Sequence, residues 1–120
     1  MREIKFRAWL KEGKKMVEVQ NICFDTKDIS YKEDIGLIRC EEFENIELMQ
    51  FTGLYDKKKK EIYEGDIVCF KGSYYVVKYF SEYGRFAISD NIVQDSLPMV
   101  IGNPGNYEVV GNICDNIGLV

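Results

Sequence analysis

The stretch EIYEGDIVCFKGSYYVVKYFSEYGRFAIS, Glu61 to Ser89, carries the strongest structural signal in the chain. Runs of aromatic and β-branched residues are broken by turn signals at Lys71-Gly72-Ser73 and near Glu82-Tyr83-Gly84. Three strands in an antiparallel meander are predicted from that spacing. Tyr74, Val76, Lys78 and Phe80 fall on one face of the middle strand, and Tyr75, Val77 and Tyr79 on the other. Both faces are largely apolar, which suits a strand in a small barrel or at a subunit contact.

Working outward, EIKFRAW near the N-terminus alternates, with Ile4, Phe6 and Ala8 opposite Lys5, Arg7 and Trp9. Strict alternation predicts a strand with one face buried. Gly13 in LKEGKKM is placed for the positive φ of a hairpin turn, and MVEVQNICF reads as the return strand. Residues 3–24 are therefore predicted as a β-hairpin. Residues 25–45 show no clear period and are predicted as an irregular loop carrying one short helical element, a segment suited to mobility or to an oligomer arm. NIELMQF resumes the β pattern until Gly53 in TGLYD breaks it. DNIVQDSLPMVIGNPGN holds both prolines, and a last strand is expected around Tyr107–Val110. The prediction is one domain over residues 1–120: mainly β, with a barrel-like meander over residues 46–113.

Composition agrees. Of 120 residues, 46% are hydrophobic and 30% charged, with eight Tyr, seven Phe and one Trp against two Pro, values typical of a folded sheet-rich chain. The net charge of −4 is uneven. Residues 1–40 carry two more basic than acidic side chains, whereas residues 61–120 carry five more acidic than basic. This argues against a uniformly basic nucleic-acid binder but leaves room for a local patch. MREIKFRAWL has no apolar h-region, so no membrane partner and a cytoplasmic location are expected. Cys23, Cys40, Cys69 and Cys114 lie 17, 29 and 45 residues apart. Their even number would permit two disulfides, but in a cytosolic chain buried free thiols are expected.

There is no histidine, which removes imidazole-based nucleophilic catalysis and imidazole metal sites. No cysteine spacing suits structural zinc. Gly102-Asn103-Pro104-Gly105-Asn106 lacks the Lys-Ser/Thr of a phosphate-binding loop, so no cofactor is expected. Glu64-Gly65-Asp66 is the best carboxylate pair for acid–base or metal-assisted hydrolysis. A turn leading into strand Ile67–Phe70 explains it more simply, since Asp readily bonds backbone amides in turns. Lys57, Lys58, Lys59 and Lys60 form a candidate phosphate-contacting tip, with Arg2, Lys5 and Arg7 as further cations and Tyr55, Tyr63 or Trp9 for stacking. The competing reading is a solvated turn whose charges discourage edge pairing, neutralised by Glu41, Glu42, Glu44 and Glu47.

MREIKFRAW, KKM, MQFTGLYDKKKKEIYEGDIV and YEVVGNI together resemble the YopX family, small proteins of phages and prophages of low-GC Gram-positive bacteria. The residues that carry the likeness are Phe6, Trp9, Thr52, Gly53, Leu54, Asp56, Ile62, Tyr63, Glu64, Gly65, Asp66 and Ile67. The resemblance implies a β-rich fold with a small, SH3-like, partly open barrel, and it brings no catalytic residue to assign. Two departures stand out. Lys58 and Lys59 occupy a turn where the family has Asn-Gly, so the turn here is either longer than a two-residue type I′ turn or strained. The tail DNIGLV replaces an ending that contains Asn-Pro. The function expected is a non-enzymatic interaction module in a bacterial host, oligomeric and acting on a host or phage protein. The alternative is a nucleic-acid accessory factor using Lys57–Lys60.

Overall fold

The computed structural model describes residues 3–82, 84–89 and 104–115. Residues 90–103, which include most of the proline-containing run, and the tail 116–120 lie outside the described residues, as does Arg2. The fold is mainly β, with antiparallel pairing throughout its two sheets and no closed barrel among the described residues. The strands are β1 (Phe6–Leu10), β2 (Lys15–Cys23), β3 (Asp28–Lys32), β4 (Ile38–Glu42), β5 (Ile46–Tyr55), β6 (Glu61–Tyr63), β7 (Asp66–Phe70), β8 (Ser73–Phe80), β9 (Arg85–Ser89) and β10 (Glu108–Asn112). Single 3-10 turns lie at Phe43–Asn45 and Pro104–Asn106.

The contacts divide the chain into two compact units, with the boundary between Gln50 and Phe51, inside β5. In the first unit the strand order is β4-β3-β2-β1-β5. The N-terminal hairpin forms in the register Ala8↔Val17 and Trp9↔Met16, and β1 also pairs with β5 through Ala8↔Leu48. Ala8, Val17, Ile29, Tyr31 and Ile46 make the buried cluster, with Leu10, Val19, Ile22, Phe43 and Leu48 packed around it. Ile4, expected on the buried face with Phe6 and Ala8, precedes the strand and is exposed.

In the second unit the later half of β5 pairs with β6, and a separate sheet runs β10-β7-β8-β9. Its core is Ile62, Val68, Val77, Ile88, Tyr107 and Val109, with Leu54, Phe70 and Tyr75 against it. β8 is covered on both faces only at its middle, where Val76 and Val77 are buried, while Tyr74 and Tyr79 near its ends are exposed. The last strand is Glu108–Asn112 rather than Tyr107–Val110, and a bulge between Val109 and Gly111 adjusts its register against β7.

Residues 25–45 are not an irregular loop: they form β3 and β4, paired in register from Asp28↔Glu42 to Lys32↔Ile38, and the helical element is only the 3-10 turn at Phe43–Asn45. β4, Ile38-Arg39-Cys40-Glu41-Glu42, is an edge strand with four of five residues exposed. An edge strand with little burial on either face leaves no period-2 hydrophobic signature. None of the four cysteines forms a disulfide, but Cys23 and Cys40 are exposed and Cys69 and Cys114 half-buried, so none is a buried core residue. In the β1–β2 turn the positive φ belongs to Lys14 (52°), not Gly13. The turn closes through the Lys14 N–H donating to the Leu10 C=O at 2.7 Å, which places Lys14, the last loop residue, in the left-handed region.

Gly13 therefore has no conformational need to be glycine, and a Cβ there meets nothing within 4 Å. Gly13→Ala should raise stability by about 0.5 kcal/mol by restricting the unfolded chain. Gly65→Ala, at φ 88°, should lower it by more than about 1 kcal/mol. Urea midpoints for the two variants check both signs.

Candidate functional site

The residues from Thr52 to Asp66 fold into one polar framework in the second unit, and its centre is Asp56. This carboxylate is 3% exposed. Its Oδ1 accepts the N–H groups of Lys58 and Lys60, both at 2.8 Å. Its Oδ2 accepts the N–H of Val109, 53 residues downstream, at 2.9 Å. The backbone closes the same loop, with Asp56 N–H donating to the Lys60 C=O (2.8 Å) and Lys59 N–H to the Asp56 C=O (3.0 Å). Lys57 N–H donates to the Tyr107 C=O at 2.9 Å. One side chain thus shapes the lysine turn and fastens it to β10.

Of the four lysines only Lys59 has a positive φ, 67°. The turn is therefore the longer alternative, a three-residue loop with one left-handed position at its end, not a two-residue type I′ turn. A single strained lysine is less costly than two. Lys57 and Lys58 bend onto Glu108, at 3.3 and 3.2 Å from its two carboxylate oxygens. Their hydrogen bonds and charges, Lys58 first, hold the Glu108 carboxyl below its ordinary value. Within the second unit Glu108 therefore neutralises Lys57 and Lys58, while in the first unit Glu47 pairs with Lys11 at 3.6 Å and Glu41 accepts from Asn45. No ion pair engages Lys59 or Lys60 among the described residues.

Thr52-Gly53-Leu54 forms a β-bulge opposite β6, where the register shifts between Phe51↔Tyr63 and Leu54↔Ile62. Gly53 supplies φ 87°, which few side-chain-bearing residues adopt. The buried Thr52 hydroxyl donates to the Ile62 C=O (2.7 Å) and accepts the Leu54 N–H (3.1 Å). It thereby bonds two backbone groups at the point where the ladder is interrupted. Downstream, Asp66 is 1% exposed and its Oδ2 accepts the Tyr63 N–H at 2.7 Å. Gly65 N–H donates to the Val77 C=O (2.7 Å) and its C=O accepts the Ile113 N–H (2.9 Å). Glu64-Gly65-Asp66 is a turn tied to its neighbours, with Glu64 half-buried beside it. Among the described residues no group of three or more His, Cys, Asp or Glu side chains could hold a metal ion.

Phe6 and Trp9 belong to the first unit, both half-buried on β1, opposite Gln50 and Glu47 of β5. Of the proposed accessory cations, Lys5 is paired with Glu3 at 3.7 Å. Sequence reasoning missed Glu108, Tyr107 and Val109 as partners of the turn, and no local spacing could have revealed them. It also did not separate the roles of Asp56 and the lysines, although an Asp opening a polar turn is a usable signal for backbone capture.

Burial acts to raise the Asp56 carboxyl, but the N–H groups of Val109, Lys60 and Lys58 and the charge of Lys60 outweigh it and hold the group below its ordinary value. Its stabilisation is then fully present above about pH 4, where the unfolded carboxyl is also ionised, and is lost as pH falls through the lower folded value. Asp56→Asn sets an amide N–H against a backbone donor and should cost about 2–3 kcal/mol at pH 7. Urea titrations should show that deficit shrinking towards pH 3. Thr52→Val, which keeps the shape but removes the hydroxyl, should cost about 1–3 kcal/mol, and Thr52→Ser should recover most of it.

The chain matches the model of the YopX protein family over residues 5–120. It is also similar to a solved structure, the crystal structure of protein EF1440 from Enterococcus faecalis. The identity is 26% and the TM-score 0.66, with 97% of this chain and 96% of that chain covered. No curated protein matches it. With a match that runs over nearly the whole chain, from ahead of β1 through the Thr52–Asp66 framework to the C-terminus, this protein belongs to the YopX family.

Proposed function

We propose that this YopX-family protein is a phage- or prophage-encoded, non-enzymatic interaction module that self-associates and binds a host or phage protein in the bacterial cytoplasm. The observation that carries the reading is where polar and apolar groups are directed. Of the buried polar residues best suited to chemistry, Asp56 bonds backbone N–H groups through both carboxylate oxygens, Thr52 bonds backbone through its hydroxyl, and Asp66 bonds a backbone N–H through its Oδ2. Meanwhile Ile35, Leu37 and Ile38, at the tip and start of the β3–β4 hairpin, are 77%, 54% and 57% exposed. Three large aliphatic side chains within four residues on an exposed hairpin favour contact with another protein surface.

The nucleic-acid reading draws support from Lys59 and Lys60, which stand at a hairpin tip without an ion-pair partner among the described residues. Against it, Glu108 compensates Lys57 and Lys58, which reduces the counterions a phosphate backbone would displace.

The test is capture of the tagged protein's partners from extract of a Gram-positive host, with and without nuclease. A nuclease-resistant protein partner lost on Ile35→Ser with Leu37→Ser is the expected result. Partners that vanish with nuclease, and vanish equally when Lys57–Lys60 become Ser-Asn-Gly-Ser, would replace the module by the nucleic-acid factor.

A further inference from the structure

The open edge of β4 carries a self-complementary pattern. Glu33 N–H donates to the Leu37 C=O at 2.8 Å and Phe43 N–H to the Lys27 C=O at 2.9 Å. Together with the register Tyr31↔Arg39 and Ile29↔Glu41, these bonds turn the backbone groups of Leu37, Arg39, Glu41 and Phe43 towards β3. Hydrogen bonding alternates along an antiparallel strand, so the N–H and C=O groups of Ile38, Cys40 and Glu42 face outward. Among the described residues no strand lies beyond β4.

We propose that this edge pairs with β4 of a second copy of the chain, antiparallel and centred on Cys40. The choice of register follows from geometry and charge. A twofold axis perpendicular to the sheet leaves each residue on its own face, and residues directly opposite share a face, so odd positions meet odd and even meet even. Centring on Arg39 places two arginines opposite one another, and centring on Glu41 or Glu42 places two glutamates opposite one another. Centring on Ile38 leaves Arg39 opposite Leu37. Only the Cys40 centre places Arg39 opposite Glu41 of the second copy, and does so twice by symmetry. Opposite charges in directly facing positions attract and like charges repel.

In this register Cys40 of each copy exchanges two backbone hydrogen bonds with the other, and Ile38 lies opposite Glu42. Leu37, just before the strand, lies opposite Phe43, just beyond it. Phe43 already packs against the first unit's core, so the exposed Leu37 would extend that apolar surface across the axis. Arg39 also bonds Glu33 through its Nε at 2.9 Å, which leaves the remaining guanidinium N–H groups to reach Glu41. The charges that would deter pairing with an arbitrary strand are complementary only to this same strand reversed. The proposal deepens the reading of the protein as an interaction module by naming one partner and one register.

The test combines mass with charge reversal. Sedimentation of the full chain up to millimolar concentration should show a dimer. Arg39→Glu and Glu41→Arg should each weaken it by about tenfold or more, because each places like charges at both symmetric positions. An equimolar mixture of the two variants should restore the dimer, since the heterologous pair again opposes Arg and Glu twice. In a chain with Cys23, Cys69 and Cys114 changed to Ser, a short bis-maleimide should join two copies through Cys40. A chain that stays monomeric overturns the proposal, as does a dimer indifferent to both reversals or one that Cys40 does not cross-link. A monomer also removes self-association from the module reading, whereas the binding of a host or phage protein stands in every case where a protein partner is still captured from extract.

Discussion

Three backbone N–H groups, two in the β5–β6 turn and one in β10, converge on the buried carboxylate of Asp56. Burying an ionised carboxylate is costly unless its oxygens are bonded. Three amide donors meet that requirement, and the same bonds oblige the turn and the last strand to keep their places. The cost of the charge becomes the reason the geometry is specific: moving either element strands a buried charge or a donor. Glu108, next to Val109, adds the outer layer by receiving Lys57 and Lys58. The second unit's core can then close around Tyr107 and Val109, because β10 is held where those side chains meet Ile62 and Val68.

The same economy recurs at the other motif residues. Thr52 stands where a bulge interrupts the ladder and bonds both an acceptor and a donor, while Asp66 takes an amide at the next turn. These residue types would suit chemistry elsewhere, yet here each bonds backbone through at least one side-chain oxygen. A bulge and two turns between β5 and β7 leave backbone groups outside the ladders, and buried hydroxyls and carboxylates are a compact means of pairing them. In this chain the block from Thr52 to Asp66 bonds its own backbone and that of β10.

Lysines take left-handed backbone positions at Lys14, Lys27, Lys59 and Lys71, one in each of four hairpin turns. Glycine or asparagine would sit there with less strain. Each lysine instead places a charged side chain at a hairpin end, where it remains solvated and opposes unwanted strand pairing. The edge of β4 instead carries mixed charges, Arg39, Glu41 and Glu42, beside the exposed Ile38.

How much was legible depended on burial. Alternation in Glu61–Ser89 and in the N-terminal hairpin announced strands because one or both faces are packed, and period-2 burial writes itself into residue choice. The Asp56 turn was half legible: a polar tip between strands could be read, and the loop length was left between two alternatives until the single left-handed φ at Lys59 distinguished them. β4 is illegible because an exposed edge imposes no such pattern, whereas β3 does alternate at Ile29 and Tyr31, a signal of only two buried positions in five residues. Glycine was credited at Gly13 although the loop closes one residue later. By itself the sequence determined the β class, the hairpins, the family block and the absence of imidazole chemistry, all of which are local or compositional. The partners of Asp56 in β10, the pairing of Glu108 with the lysines and the outward backbone groups of β4 were decided only by tertiary structure. They join residues far apart in the chain, or depend on which side of a strand is left open, and neither is encoded in local spacing.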